Sequence, residues 1–292
     1  IISGGNNVGG LVGFLQGAVI KNSSADITVA GREDVGGLVG FAFFQARIQN
    51  ATAEGNVTGW RNVGGLIGRV NETAFEGLTG LQATGDVAGS IAVGGLIGSI
   101  GFATLSDSSA TGDVDGDENV GGLVGGASNS LLSESSASGA VSGLTNTGGL
   151  IGALFDSSIT RSFASGNVVG ESVVGGLVGY SAPGASRNSR PSEVSESYAI
   201  GNVTAREHSA GGLVGINAGV VTTSHASGNV VATTNAGGLI GSNDQVLGGG
   251  TVTNAYARGN VTGTSAVGGL IGSNDGTVTN TYATGLVTGA TK

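Results

Sequence analysis

The 292-residue chain carries 60 Gly, only 11% charged residues and a net charge of −9. Two Pro and no Gly at every third position exclude collagen, and a 39% hydrophobic content that recurs in register excludes a disordered linker. The 11 Lys and Arg are scattered, Cys is absent and no apolar run approaches about 18 residues, so nucleic-acid binding, thiolate chemistry and a membrane-spanning helix lack support.

In chain order, one phrase organises everything. Gly-Gly-Leu-(Val/Ile)-Gly begins at Gly9, Gly36, Gly64, Gly94, Gly121, Gly148, Gly175, Gly211, Gly237 and Gly268. Each copy is preceded or followed by a second block, Ala-x-Gly-x-Val, whose Ala column runs from Ala25 and Ala53 to Ala257 and Ala283. Val stands four residues after Ala in every unit, from Val29 to Val287, and Gly lies between them except at Ile27. Five residues before Ala is an aliphatic residue, from Ile20 to Val278.

Self-similarity at this period identifies a repeat array. Ala-x-Gly-x-Val alternates with period 2 and reads as a strand with Ala, Gly and Val inward, extended upstream by a small residue such as Ser108, Ser135 or Ser197. The step of five from the aliphatic residue to Ala breaks that alternation and requires a bend. So much Gly disfavours helix by about 1 kcal/mol per residue. The expectation is an all-β fold, a parallel β-solenoid (β-helix) of about ten coils of 26–36 residues, one Gly-Gly-Leu-(Val/Ile)-Gly per coil. It covers residues 1–292 as a single array.

Adjacent Leu38 and Val39 pose a parity problem, because a regular strand points one of them out. A bend at the Gly pair turns both inward, which avoids an exposed aliphatic stripe. The segment after the phrase is the variable one. It is longest between Val178 and Glu193, with Pro183, Arg187, Arg190 and Pro191, and such insertions map to loops on one edge. Phe41-Ala42-Phe43-Phe44 opens another of these loops and is expected to cover a coil edge. Neither end reads as a polar cap, so the chain is expected to be a segment of a longer protein or a subunit that stacks end to end.

Gly36-Gly37-Leu38-Val39-Gly40 with Ala53-x-Gly55-Asn56-Val57-x-Gly59, and their copies, resemble the GLUG-motif repeats of bacterial and archaeal surface proteins. These occur in large adhesins and in the non-catalytic parts of some immunoglobulin-A-cleaving peptidases. The peptidase chemistry does not carry over, because H-E-x-x-H is absent and the only histidines are His208 and His225. The resemblance implies an extracellular, cell-surface β-solenoid stalk or adhesive segment without catalysis.

Three columns are candidate sites. The residue before Ala changes from small and polar (Ser24, Thr52, Gln82, Ser109, Ser136) to ringed (Phe163, Tyr198, His225, Tyr256, Tyr282). Five rings in successive coils form one outward ladder, either contacting a glycan, a surface or a neighbouring chain, or stacking on each other to stiffen the rod. Asn56, Asp86, Asp113, Asn167, Asn202, Asn229 and Asn260 precede the Val and suit hydrogen bonds along the axis. Asp113, Asp115 and Asp117 alternate in a Gly-containing turn, which reads as a solvated acidic turn or as a Ca²⁺ loop. No other cofactor is expected. Partners are a glycan or surface ligand, or self-association into a fibre. Two other functions compete: ice or mineral binding by the Thr/Ser column (Thr79, Ser106, Ser133, Thr160), and polysaccharide cleavage by a carboxylate pair such as Asp86 and Asp113.

Overall fold

A computed structural model describes residues 1–72, 77–185, 189–244 and 250–289. Arg187 lies outside the described residues. Among those described, the chain is strand, turn and bend with no helix. It is an all-β parallel solenoid of about ten turns.

One coil shows how the unit is built. Thr104–Ser106 and Ser109–Ala110 lie on a first face, Val114–Asp115 and Glu118–Gly121 on a second, and Val124–Ser128 on a third. Each strand pairs in parallel with its equivalent one coil on: Leu105 with Leu132, Ala110 with Ala137, Val114 with Val141, Gly121 with Gly148 and Val124 with Ile151. The second face is a 19-stranded sheet and the third a 10-stranded one. At about 4.8 Å per coil, ten coils give a rod roughly 50 Å long.

The Ala-x-Gly-x-Val block is not one strand, contrary to expectation. Ala110 closes the first face and Val114 opens the second, with the chain bending at Gly112 between them. The in–out alternation nevertheless survives the corner, because Ala110, Gly112 and Val114 are buried while Thr111 and Asp113 are exposed. Gly112 packs against the Gly85 carbonyl of the preceding coil, so the corner has no room for a side chain.

The interior divides in two. Leu, Val/Ile, Ala and the aliphatic column pack together between the first and third faces. The Val following each corner packs separately, with the residue preceding Gly-Gly: Val57 with Val63, Val87 with Val93, Val114 with Val120. The Gly pair forms the waist between these cores. A Cβ on Gly122 would fall on the Gly149 carbonyl of the next coil and within 2.9 Å of the Ala137 Cβ. Gly is required here for space, since two layers of backbone nearly touch.

The waist also settles the parity. Gly122 and Leu123 form a bend, and Leu123 and Val124 are both fully buried. Their two N–H groups donate to one acceptor, the Leu150 carbonyl, at 2.9 and 3.0 Å. Both side chains therefore point inward without leaving a backbone group unpaired, and each buried Leu or Val contributes about 1.5–3 kcal/mol.

Left-handed backbone marks the remaining corners. Asn22, Asn50, Asp107, Asn254 and Asn280 sit in one such column, with φ near +50°, between the aliphatic strand and Ala, together with Glu134, Arg161, Glu196 and Thr223. Asn7, Asp34, Asn62, Asn119, Asn146 and Asn235 form a second, before the Gly pair. Asn and Asp tolerate this region best among residues with a Cβ. The expected bend between the aliphatic residue and Ala is the first of these columns.

Candidate functional site

Parallel strands in register bring the residues before Ala into one file. Phe163 pairs with Tyr198, Tyr198 with His225, His225 with Tyr256 and Tyr256 with Tyr282. The ring centroids lie 5.1, 5.1, 4.8 and 5.0 Å apart, with interplanar angles of 3°, 12°, 7° and 5°. The spacing is that of the coils, so the backbone itself imposes the stack.

This geometry changes what the ladder offers. Phe163, Tyr198, His225 and Tyr256 are half-buried rather than exposed, as are Ser109 and Ser136 in the same column. Tyr282 in the last coil is 50% exposed. Ring faces within the file are occupied by neighbouring rings, which leaves the edges for solvent. Arg258 lies over the Tyr256 ring at 4.9 Å, and His225 is held below its ordinary pKa by burial and then by the Arg258 charge. The imidazole therefore stacks in its neutral form.

The Asn/Asp column closes a second ladder. Asn56 Oδ1 accepts from Asp86 N at 3.0 Å, Asp86 Oδ1 from Asp113 N at 3.0 Å, and Asp113 Oδ1 from Ala140 N at 2.8 Å. The same bond joins Asn167 to Asn202, Asn202 to Asn229, Asn229 to Asn260 and Asn260 to Leu286. Only an oxygen is needed, which explains why Asp86 and Asp113 serve as well as the Asn residues of the column.

Asp113, Asp115 and Asp117 are all exposed. Asp113 is committed to the ladder, and Asp115 accepts a hydrogen bond from the Ser142 hydroxyl one coil on. Among the described residues no group of three or more His, Asp or Glu side chains is arranged to hold a metal ion. Asp113 lies at the corner, Asp115 in the strand Val114–Asp115 and Asp117 at the bend after it, and the three carboxylates are not brought around one point. A shallow groove of about 410 Å³ runs beside them, between the column of Asn56, Asp86 and Asp113 and that of Thr58, Ala88 and Asp115.

The sequence reading placed Ser108, Ser135 and Ser197 inward, which their burial bears out, but it missed the ladder they bond into and a second ladder of Asn. Ser108, Ser135, Ser162, Ser197 and Ser224 are buried, and each hydroxyl both accepts from the backbone N–H of the preceding coil and donates to the carbonyl two residues back. They satisfy the groups that the left-handed residue just before them pulls out of the strand ladder. Asn217, Asn243 and Asn274 stack in a file, Nδ2 to Oδ1 at 2.9 and 2.7 Å. The signal for both was a polar residue at a fixed offset; for the Asn file, that offset had not been read as inward. Phe41 and Phe43 belong to a strand whose alternate residue Ala42 is buried, so their rings cluster outward with Phe14 and Phe44. Arg69 lies over Phe41 at 4.0 Å and 3.9 Å from Asp34.

A family model described as the GLUG motif matches residues 4–30, 31–58 and 89–115. No curated protein and no solved structure matches the chain. Among the described residues, no helix is long and apolar enough to cross a membrane.

Proposed function

The chain is a GLUG-motif repeat protein, and from that premise we propose that it is a non-catalytic, extracellular, structural and adhesive segment of a cell-surface protein. The observation that carries this reading is where the polar and aromatic columns spend their chemistry. The rings stack on rings and the Asn/Asp oxygens hold the next coil's N–H, so the columns stiffen a rod that carries a surface away from its base. Asp86 and Asp113, the pair proposed for polysaccharide cleavage, act as acceptors in that scaffold. The GLUG repeat family is not a known catalytic family. The half-exposed edges of Phe163, Tyr198, His225, Tyr256 and Tyr282 form the strip through which the rod meets a surface, a glycan or a neighbouring chain.

The test is a triple substitution of Tyr198, Tyr256 and Tyr282 with Ser, the residue used at Ser109 and Ser136. Thermal stability and attachment of the purified chain to cells and immobilised glycans are measured side by side. A fall in both supports a ladder that stiffens and contacts. Attachment that persists with an unchanged melting temperature refutes the ladder's role, and release of reducing ends from polysaccharides refutes the non-catalytic reading.

A further inference from the structure

We infer that a trough on the corner between the third and first faces is a binding site for a short neutral saccharide. The trough lies at the end of the Val124–Ser128 type of strand, where the chain turns the corner through another left-handed column. Its members in successive coils are Phe44, Glu72, Phe102, Asn129 and Asp156, with φ of 44°, 53°, 51°, 49° and 48°. Asn and Asp suit that backbone; a bulky ring there is an outlier. Phe102 is nevertheless present and 57% exposed. Phe44 shares the conformation and meets the Phe43 ring at 6.1 Å, whereas the Phe102 ring contributes little to the core and lines an open trough, where it is placed to serve as a surface platform.

Three described residues at the start of the longest insertion line the opposite wall. After Ala182 the chain leaves the rod, and Pro183, Gly184 and Ala185 stand over the corner. Gly184 N donates to Asp156 Oδ1 at 2.7 Å, and the Ser192 hydroxyl ties the returning chain to the carbonyls of Ala182 and Leu154 at 2.7 and 3.2 Å. Between Phe102 and this wall is a space of about 730 Å³ bounded by Ser128, Asn129, Phe155 and Asp156. That size lies in the range of small-ligand sites. Insertions in solenoids gather on the binding edge.

The chemistry selects the ligand. Phe102 and Phe155 supply apolar ring surface, while a hydroxyl, an amide and a carboxylate surround it. A pyranose matches this set, with an apolar C–H face and a rim of hydroxyls. An added peptide strand does not, because the backbone of the corner is already paired: Phe102 N donates to Ser128 O at 3.0 Å and Asn129 N to Phe155 O at 3.1 Å. Asp156 disfavours an anionic sugar. The proposal deepens the surface-contact reading above, on which it rests, by giving it a second and more specific site.

The test titrates the chain with cellotriose, maltotriose and the N-acetylglucosamine trimer, read by saturation-transfer NMR and calorimetry. Phe102→Asn is the informative variant, since the next coil carries Asn129 in the same conformation. The expected result is binding of at least one trisaccharide, weakened about tenfold or more by Phe102→Asn, with the melting temperature unchanged or raised. Three results overturn the site: no trisaccharide bound at millimolar concentration, affinity unchanged in Phe102→Asn, or affinity and melting temperature falling together. If saccharide binding is absent while the chain still attaches to cells, the trough fails and the surface reading stands. If trisaccharides bind through Phe102 while the chain attaches to no surface, the trough stands and the surface reading fails.

Discussion

Thr147 occupies a position where the other coils show Val93, Val120 and Val174. It is fully buried, and its hydroxyl has no hydrogen-bond partner among the described residues. Replacing it with Val keeps the shape and removes the polar atom. An unsatisfied buried hydroxyl costs about 1–3 kcal/mol, whereas removal by an isosteric apolar group carries no cavity term. Space for the methyl is visible in the flanking coils, where Val120 and Val174 each place a Cγ2 against Gly116 and Gly170, the counterparts of Gly143 beside Thr147. Thr147→Val should therefore stabilise the chain by about 1–3 kcal/mol, and raise the melting temperature by about 2–4 °C per kcal/mol. The reciprocal change Val174→Thr should lower it by a similar amount. Both are measured by thermal unfolding followed at the β-sheet circular dichroism band. If Thr147→Val is destabilising, or Val174→Thr is neutral, the hydroxyl is satisfied and the reasoning is wrong.

Three further outcomes test the packing. Val141 is 1% exposed and Ser136 half-buried on the outer side, so Val141→Asp should lose about 3 kcal/mol or more while Ser136→Asp loses under about 1, measured by urea denaturation; equal losses would invert the assigned faces. Gly122→Ala should cost about 3 kcal/mol by forcing the Gly149 carbonyl of the next coil away, and a variant as stable as the parent would remove the waist from the account. Burial, and then the Arg258 charge, hold His225 below its ordinary value of 6.5, so folding favours the neutral ring. Its contribution is present above pH 6.5 and is lost as pH falls from there through the folded pKa, because the unfolded chain takes the proton first. Melting temperatures at pH 8 and pH 5 should fall further for the parent than for His225→Tyr, and an equal fall would show that the stacked imidazole is not the sensor.

Much of this protein was legible because a parallel solenoid converts sequence period directly into space. Residues 27 apart such as Ala110 and Ala137 become neighbours, so a column in the alignment is a column in the rod. Burial of Ala, Gly and Val followed from period-2 alternation, and the ring ladder followed from five aromatic positions at one offset, because coil spacing and ring-stacking distance are nearly equal. A choice between a ring that meets a ligand and one that meets the next ring was not legible, since both leave the same letter.

What only the tertiary structure decided lies where backbone meets backbone from different coils. The split into two cores depends on how closely Gly122 approaches Gly149, a distance no local pattern carries. Ser108 and Ser135 read from alternation as small inward residues, but the need for a hydroxyl there arises only because the left-handed residue before each pulls an N–H and a carbonyl out of the ladder. Phe102 reads as a loop residue until Asp156 captures Gly184 and folds the insertion back to face it. The period specified which residues would be stacked. Which stacked groups would be satisfied, strained or left open depended on close approach between segments up to 38 residues apart, as between Ser192 and Leu154.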